Sequence, residues 1–285
     1  MTKVKIVTDS TAVLSDEEIM ELGVKVIPLT VMIDDQLYQD GVDLSREDFM
    51  DKMAQAKNLP KTSTPSLGVF TEAYEELLAE DAEDVEVISI HLTPGLSGTF
   101  DTAQQAAQML DTEKIHVINS TFIDCSLGFQ VIAAAQLAQQ GKSVSEILQE
   151  MQKIKENTEL YLTLSSLDNL SAGGRISKAT GFIGGLLNIK IGAHVVDGEI
   201  IAETKGRGSK TIKNYLKKII DQMHEANGIK KIGLSHAGIP ELAQELAQTL
   251  QNEFPKAQVH VQQTTPVVST HTGVGAFGLS YLKEY

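Results

Sequence analysis

The feature that most limits what this chain can fold into is the alternation, over its first half, of short apolar runs with helical stretches. "VKIVTDS" (4–10), "VEVISI" (85–90) and "IHVIN" (115–119) read as buried strands, and "VKVIPLTVMI" (24–33) is a further apolar run. Between them lie "SDEEIMELG" (15–23), a short capped helix, and "SREDFMDKMAQAK" (45–57), helical with Ser45 as N-cap. Ser66 caps "LGVFTEAYEELLAE", and long helical patterns fill 124–156. Strands that alternate with helices at this spacing call for a parallel sheet covered on both faces.

The second half has a different rhythm. "LYLTLSSL" (160–167), "NIKIGAHVVDGEIIAETKG" (188–206) and "KIGLSHA" (231–237) are strand-like, and Asp197-Gly198 is a strong hairpin turn. Hairpins mixed with helices indicate a second α/β domain built on a mixed or antiparallel sheet. The expected division is 1–157 for a parallel, three-layer α/β domain and 158–285 for a mixed α/β domain.

With 285 residues and 42% hydrophobic content, the chain has enough apolar material for a substantial core. No apolar run approaches the roughly 18 residues of a membrane span. The opening "MTKVKIVTDS" enters a strand pattern without signal-peptide architecture, and Cys125 is the sole cysteine, so a cytoplasmic location is expected. A net charge of −14 argues against nucleic acid as a partner. The charge is uneven: residues 171–231 hold 11 of the 24 Lys and Arg but only 5 of the 38 acids, which makes that segment +6 and the rest −20. A solvated helix face (Lys210, Lys213, Lys217, Lys218) accounts for part of this, and a docking surface for an acidic partner is the alternative.

Chemistry concentrates in segments rich in hydroxyls and glycine, which read as loops: "KTSTPS" (61–66), "LTPGLSGT" (92–99), "SAGGRIS" (171–177) and "TTPVVSTHTGVGAFG" (264–278). In the second, a strand delivers a hydroxyl-bearing loop to the start of a helix, where free N–H groups favour an anion. Taken singly these are weak signals, since Ser and Thr before a helix are usually caps and His271 is equally a structural histidine. A Walker phosphate loop, a dinucleotide G-x-G-x-x-G turn and metal-ligand spacing are all absent from the sequence. The stretch Gly95-Leu96-Ser97-Gly98-Thr99 approaches a nucleophile elbow but lacks its last glycine. The order Ser97, Asp124, His271 keeps a serine hydrolase or esterase, with Ser97 as nucleophile and His271 as base, as the alternative function.

Taken together, "VTDSTAVL", "KTSTPS", "LSGTFDTA", "LDNLSAGGRISK" and "STHTGVGAFG" resemble, in order and over essentially the whole chain, the DegV family, the bacterial fatty-acid-binding proteins also called FakB. The resemblance implies a two-domain α/β fold with a ligand held between the domains. It places a fatty-acid carboxylate at Thr62 and Ser97, with His271 and Arg175 nearby and Ser63 and Gly98 as further donors. This chain has Thr64 where relatives often carry Gln, and its 92–99 loop lacks their leading serines, which puts Thr93 in doubt as a ligand. Ser97 then holds a carboxylate instead of attacking a carbonyl.

A tail also needs an apolar tunnel. "GFIGGLLNI" (181–189) and "TPVVST" (265–270) offer Phe182, Ile183, Leu186, Leu187, Val267 and Val268 as walls, although any one of these alone reads as ordinary core. By resemblance the chain is a carrier without catalysis or cofactor of its own. It binds a long-chain fatty acid such as palmitate, touches membranes transiently, and presents the carboxylate to a separate fatty acid kinase that makes an acyl phosphate for phospholipid synthesis. Arg207 and Lys210 in "KGRGSK" are the expected kinase contacts.

Overall fold

The computed structural model describes residues 2–79, 84–175 and 189–285. From the N-terminus, β1 (Lys3–Asp9) leads through α1 (Asp16–Leu22) to β2 (Lys25–Ile27). Ser15 and Glu18 close a capping box on α1, and Gly23 ends it in the left-handed region at φ 63°. The apolar run 24–33 is split at Pro28, which has no N–H for a ladder. Its second part, β3 (Thr30–Ile33), belongs to another sheet. There β3 pairs antiparallel with β4 (Gln36–Gln39) and, beyond α2 (Arg46–Gln55), with β5 (Lys61–Ser63). The start of "KTSTPS" is thus a strand and not a loop, with Thr62 opposite Val31.

The first half continues through α3 (Leu67–Ala79), β6 (Val85–His91), α4 (Thr99–Met109), β7 (Ile115–Asn119), α5 (Asp124–Gln139) and α6 (Val144–Glu156). Its main sheet runs β2-β1-β6-β7 and every pair is parallel. Strand parity sorts the side chains. Val4, Ile6, Ile88 and Ile90 pack with Leu127 of α5 and Ile147 of α6. Val7 and Val87 pack with Tyr74 of α3 and Ala103 of α4. The result is the three-layer arrangement that the alternation called for.

The second half comprises β8 (Thr158–Leu164), α7 (Asp168–Ala172), β9 (Lys190–Val196), β10 (Glu199–Gly206), α8 (Ser209–Glu225), β11 (Ile229–His236), α9 (Pro240–Glu253), β12 (Gln258–Gln263), α10 (Pro266–Thr272) and β13 (Phe277–Lys283). Its sheet runs β10-β9-β8-β13-β11-β12, antiparallel except for β11 with β12. The Asp197-Gly198 turn forms as expected, with φ 49° and 84° at its two central residues. Much of "TTPVVSTHTGVGAFG" is helical instead of a loop. Thr265 caps α10 by accepting from Val268 N, and Pro266 occupies its first turn.

On one face of this sheet, Tyr161, Leu234 and Leu279 pack with Tyr215 and Ile219 of α8 and Ala243 and Ala247 of α9. The opposite face carries Leu160, Leu164, Ile191 and Val195. Helix α5 reaches this sheet as well as the parallel one, and Ser126 donates to Ser280 of β13 at 2.8 Å. Among the described residues, no helix is long and apolar enough to cross a membrane.

Candidate functional site

Loops at the C-terminal ends of β6 and β7 face the inner side of the mixed sheet across a cavity of about 910 Å³ of atom-free space, its mouth included. The walls are mainly apolar: Leu92, Leu96 and Ile123 from the loops, Leu160 and Leu162 from β8, and Phe277 from β13. Leu160 and Leu162 both reach the cavity because alternate residues of a strand share a face.

Hydroxyls and two basic side chains cluster in one part of this wall. Thr62 and Ser63 come from β5, Ser97 from the loop before α4, Arg175 from the segment after α7, and His271 from α10. Thr62 Oγ1 lies 2.7 Å from His271 Nε2. Ser97 Oγ accepts from Thr99 N at 3.3 Å and shares a 2.9 Å hydrogen bond with Thr99 Oγ1. The Ser97 hydroxyl therefore sits at the N-terminal end of α4, where the helix dipole favours an anion.

Arg175 is half-buried, donating from Nε to Leu96 O at 3.1 Å and from one terminal nitrogen to Gly173 O at 2.7 Å. No carboxylate among the described residues pairs with it. Burial, with a smaller effect from the Arg175 charge, pushes His271 down to about 4, so its ring is neutral at pH 7. Its Nδ1 is buried without a hydrogen-bond partner among the described residues and packs so tightly on Gly173 that a Cβ there would overlap it. The glycine of "SAGGRIS" is thus required by close approach.

The sequence expectations divide cleanly. Thr62, Ser63, Ser97, Arg175, His271, Val267 and Val268 all line the cavity. Gly98 does not: it is the N-cap position of α4, and its carbonyl accepts from the Thr102 backbone and side chain. Thr93 is buried outside the cavity and ties its loop to the β9–β10 turn, donating to Gly198 O at 3.1 Å. Phe182, Ile183, Leu186 and Leu187 lie outside the described residues. Arg207 and Lys210 are exposed and away from the cavity wall.

The hydrolase alternative finds no triad. Ser97 is engaged with Thr99, and Asp124 accepts from Cys125 N and from the Thr264 hydroxyl. No acid reaches His271 Nδ1 among the described residues, so nothing orients the imidazole as a base. Nor is any group of three or more His, Cys, Asp or Glu side chains among them placed to hold a metal ion.

The family model "Uncharacterised protein, DegV family" matches residues 3–284. The chain belongs to the DegV family. A DegV domain-containing protein of Lactococcus lactis, YejH, is 43% identical over 277 residues, 97% of this chain and 98% of the relative. Among solved structures, the Bacillus subtilis DegV, described as a fatty acid binding protein, superposes with a TM-score of 0.89 at 29% identity, covering 100% of both chains. The Streptococcus pneumoniae fatty acid kinase (Fak) B3 protein, loaded with linoleic acid, superposes with a TM-score of 0.80 at 25% identity, again over 100% of both.

In this DegV protein the cavity also takes in Thr64, Ser235, His236 and Thr264, which sequence inspection did not assign to a site. One signal was available: "SH" closes the strand pattern of 231–237, and ligands of α/β sheets gather at carboxyl ends of strands.

Proposed function

We propose that this protein is a fatty-acid carrier. It holds one long-chain acid between a 1–157 domain and a 158–285 domain, with the carboxylate at Thr62, Ser97, Arg175 and His271. The observation that carries this reading is the half-buried Arg175, without an acidic partner among the described residues, beside three hydroxyls in the wall of a mainly apolar cavity. An anionic head with a long apolar tail satisfies both parts. Burying about a dozen methylenes contributes on the order of 10 kcal/mol gross at roughly 0.8 kcal/mol each. The head loses hydration on entry, and charge-assisted hydrogen bonds offset that loss. Palmitate is one acid of suitable length. The named ligands of the related structures support the same class.

The acid is then presented to a separate fatty acid kinase, which phosphorylates its carboxylate to an acyl phosphate for phospholipid synthesis. The carrier makes and breaks no bonds itself, and transient membrane contact accounts for loading. Arg207 and Lys210 support the partner assignment. They flank the start of α8, whose first turn has no acid and whose N-cap Gly208 supplies no side chain. Cations at the positive end of a helix work against that helix, which favours a role outside the fold.

Native mass spectrometry of the protein purified from a bacterial host tests the reading. A co-purifying mass of one long-chain fatty acid is expected. A ligand-free protein that, after delipidation, also fails to bind added fatty acid would overturn it.

A further inference from the structure

Away from the Thr62–His271 contact, the cavity wall has a second polar patch. Asp124, Thr264, Ser235 and His236 all line the cavity, and each is 5% exposed or less. The Asp124 carboxylate accepts from Cys125 N at 2.7 Å and from the Thr264 hydroxyl, and no cation pairs with it among the described residues. A carboxylate offers about four acceptor positions, so two donors leave capacity over. His236 Nδ1 accepts from Ile239 N at 3.4 Å, which places its proton on Nε2. The Ser235 hydroxyl makes no side-chain hydrogen bond among the described residues, and it approaches Gly278 so closely that a Cβ there would overlap it.

The backbone is bent to put Asp124 here. Its φ of 64° lies in the left-handed region, which costs a non-glycine residue about 1 kcal/mol or more. Thr264 opens the segment that becomes α10, and His271 lies near the end of that helix. The seven residues of α10 rise about 10 Å at 1.5 Å per residue, and most of that helix lies between Thr264 and His271. A plain alkyl chain passing Asp124 would leave a desolvated carboxylate facing hydrocarbon, which is unfavourable.

We infer that the cavity is built for an oxygenated fatty acid, one whose mid-chain hydroxyl donates to Asp124 and is held beside Ser235 and His236. This rests on the fatty-acid reading above and narrows its ligand class. Selectivity of this kind is steep, because a site built to hydrogen-bond a hydroxyl rejects the analogue that lacks it.

The test is displacement of a fluorescent fatty acid from delipidated protein by matched pairs: ricinoleic against oleic acid, and positional isomers of hydroxystearic against stearic acid. The best hydroxy acid is expected to bind at least about tenfold tighter than its parent. Asp124→Leu should abolish that preference while stearic acid still binds, and Ser235→Ala should reduce it in a protein whose side-chain volume barely changes. Equal affinity within every pair, or a preference untouched by both substitutions, would overturn the inference and leave the carrier reading standing, with Asp124 only a strut between α5 and Thr264. Failure of every acid to bind would overturn both.

Discussion

Thr62 and His271, 209 positions apart in the chain, meet at 2.7 Å between hydroxyl oxygen and imidazole Nε2. The ring is neutral, so it has one N–H to place. An orphaned buried acceptor is better tolerated than an orphaned N–H, and among the described residues Nδ1 is the orphan here. The proton therefore belongs on Nε2, which donates to Thr62 Oγ1 and frees the hydroxyl proton of Thr62 for an acceptor in the cavity.

This relay sets the first expectation. Thr62→Ala or Ser97→Ala removes one charge-assisted hydrogen bond, worth roughly 1.5–3 kcal/mol, so fatty-acid affinity should fall at least about tenfold. The melting temperature of the ligand-free protein should change little. His271→Ala should weaken binding through Thr62, so the Thr62/His271 double variant should lose less than the sum of the singles in a binding titration. Full additivity, or unchanged affinity in Thr62→Ala and Ser97→Ala, would refute the arrangement.

Gly173 gives a second expectation from packing alone. A methyl at this position would overlap His271 Nδ1. Gly173→Ala should therefore push the ring off Thr62 and lower affinity about as much as His271→Ala. In the His271→Ala background the same change should have little further effect. Calorimetric titration of the four proteins separates this from a general loss of folding.

Two buried groups oppose each other in their pH dependence. Burial lowers His271 from 6.5 to about 4, so its neutral form supports the fold fully above pH 6.5 and that support is lost as pH falls toward 4. Asp40 is the reverse. Burial raises it from 3.8 to about 7, against the hydrogen bonds it accepts from Ser10 and Val267 N. Unfolding then releases its proton, so stability declines as pH rises from about 4 to 7. The slopes cancel over much of the shared window. In Asp40→Asn, stability should rise with pH between about 4 and 6.5. In His271→Gln it should fall between about 4 and 7, each by at most about 1.4 kcal/mol per pH unit. Urea midpoints of delipidated protein across that range provide the check, and parallel profiles for both variants and the parent would contradict the assignment.

What was legible in the sequence was local. The Asp197-Gly198 turn, the Ser15 and Ser45 caps and the buried strands that carry Val4, Ile6, Ile88 and Ile90 follow from residues within one element. Strand β5 was not legible, because a short polar run becomes a strand only by pairing with Val31 and Met32, far back in the chain. Helix α10 was hidden although Thr265-Pro266 is a cap-and-first-turn signal, since it ran on into a glycine-rich segment. The hydroxyl cluster was readable as a set of motifs. The Asp124 patch was not, because it is assembled from the start of α5, the end of β11 and the residue after β12, and no spacing within one segment announces it.

The last expectation concerns the partner. Arg207 and Lys210 are exposed at the start of α8 and distant from the polar contacts of the cavity. If they meet an acidic surface on the kinase, Arg207→Glu with Lys210→Glu should slow acyl phosphate formation at low ionic strength. Charges at the rim of an interface act mainly on encounter rate and are screened by salt, with a Debye length of about 8 Å at physiological ionic strength. The difference from the parent should therefore shrink as salt is added. Fatty-acid affinity should be unchanged, because neither side chain lines the cavity. Phosphoryl transfer at saturating fatty acid, measured against carrier concentration, separates the two effects. A reversed-charge carrier that supports the full kinase rate at low salt would mean that the basic segment 171–231 is a solvated face and that docking uses another surface.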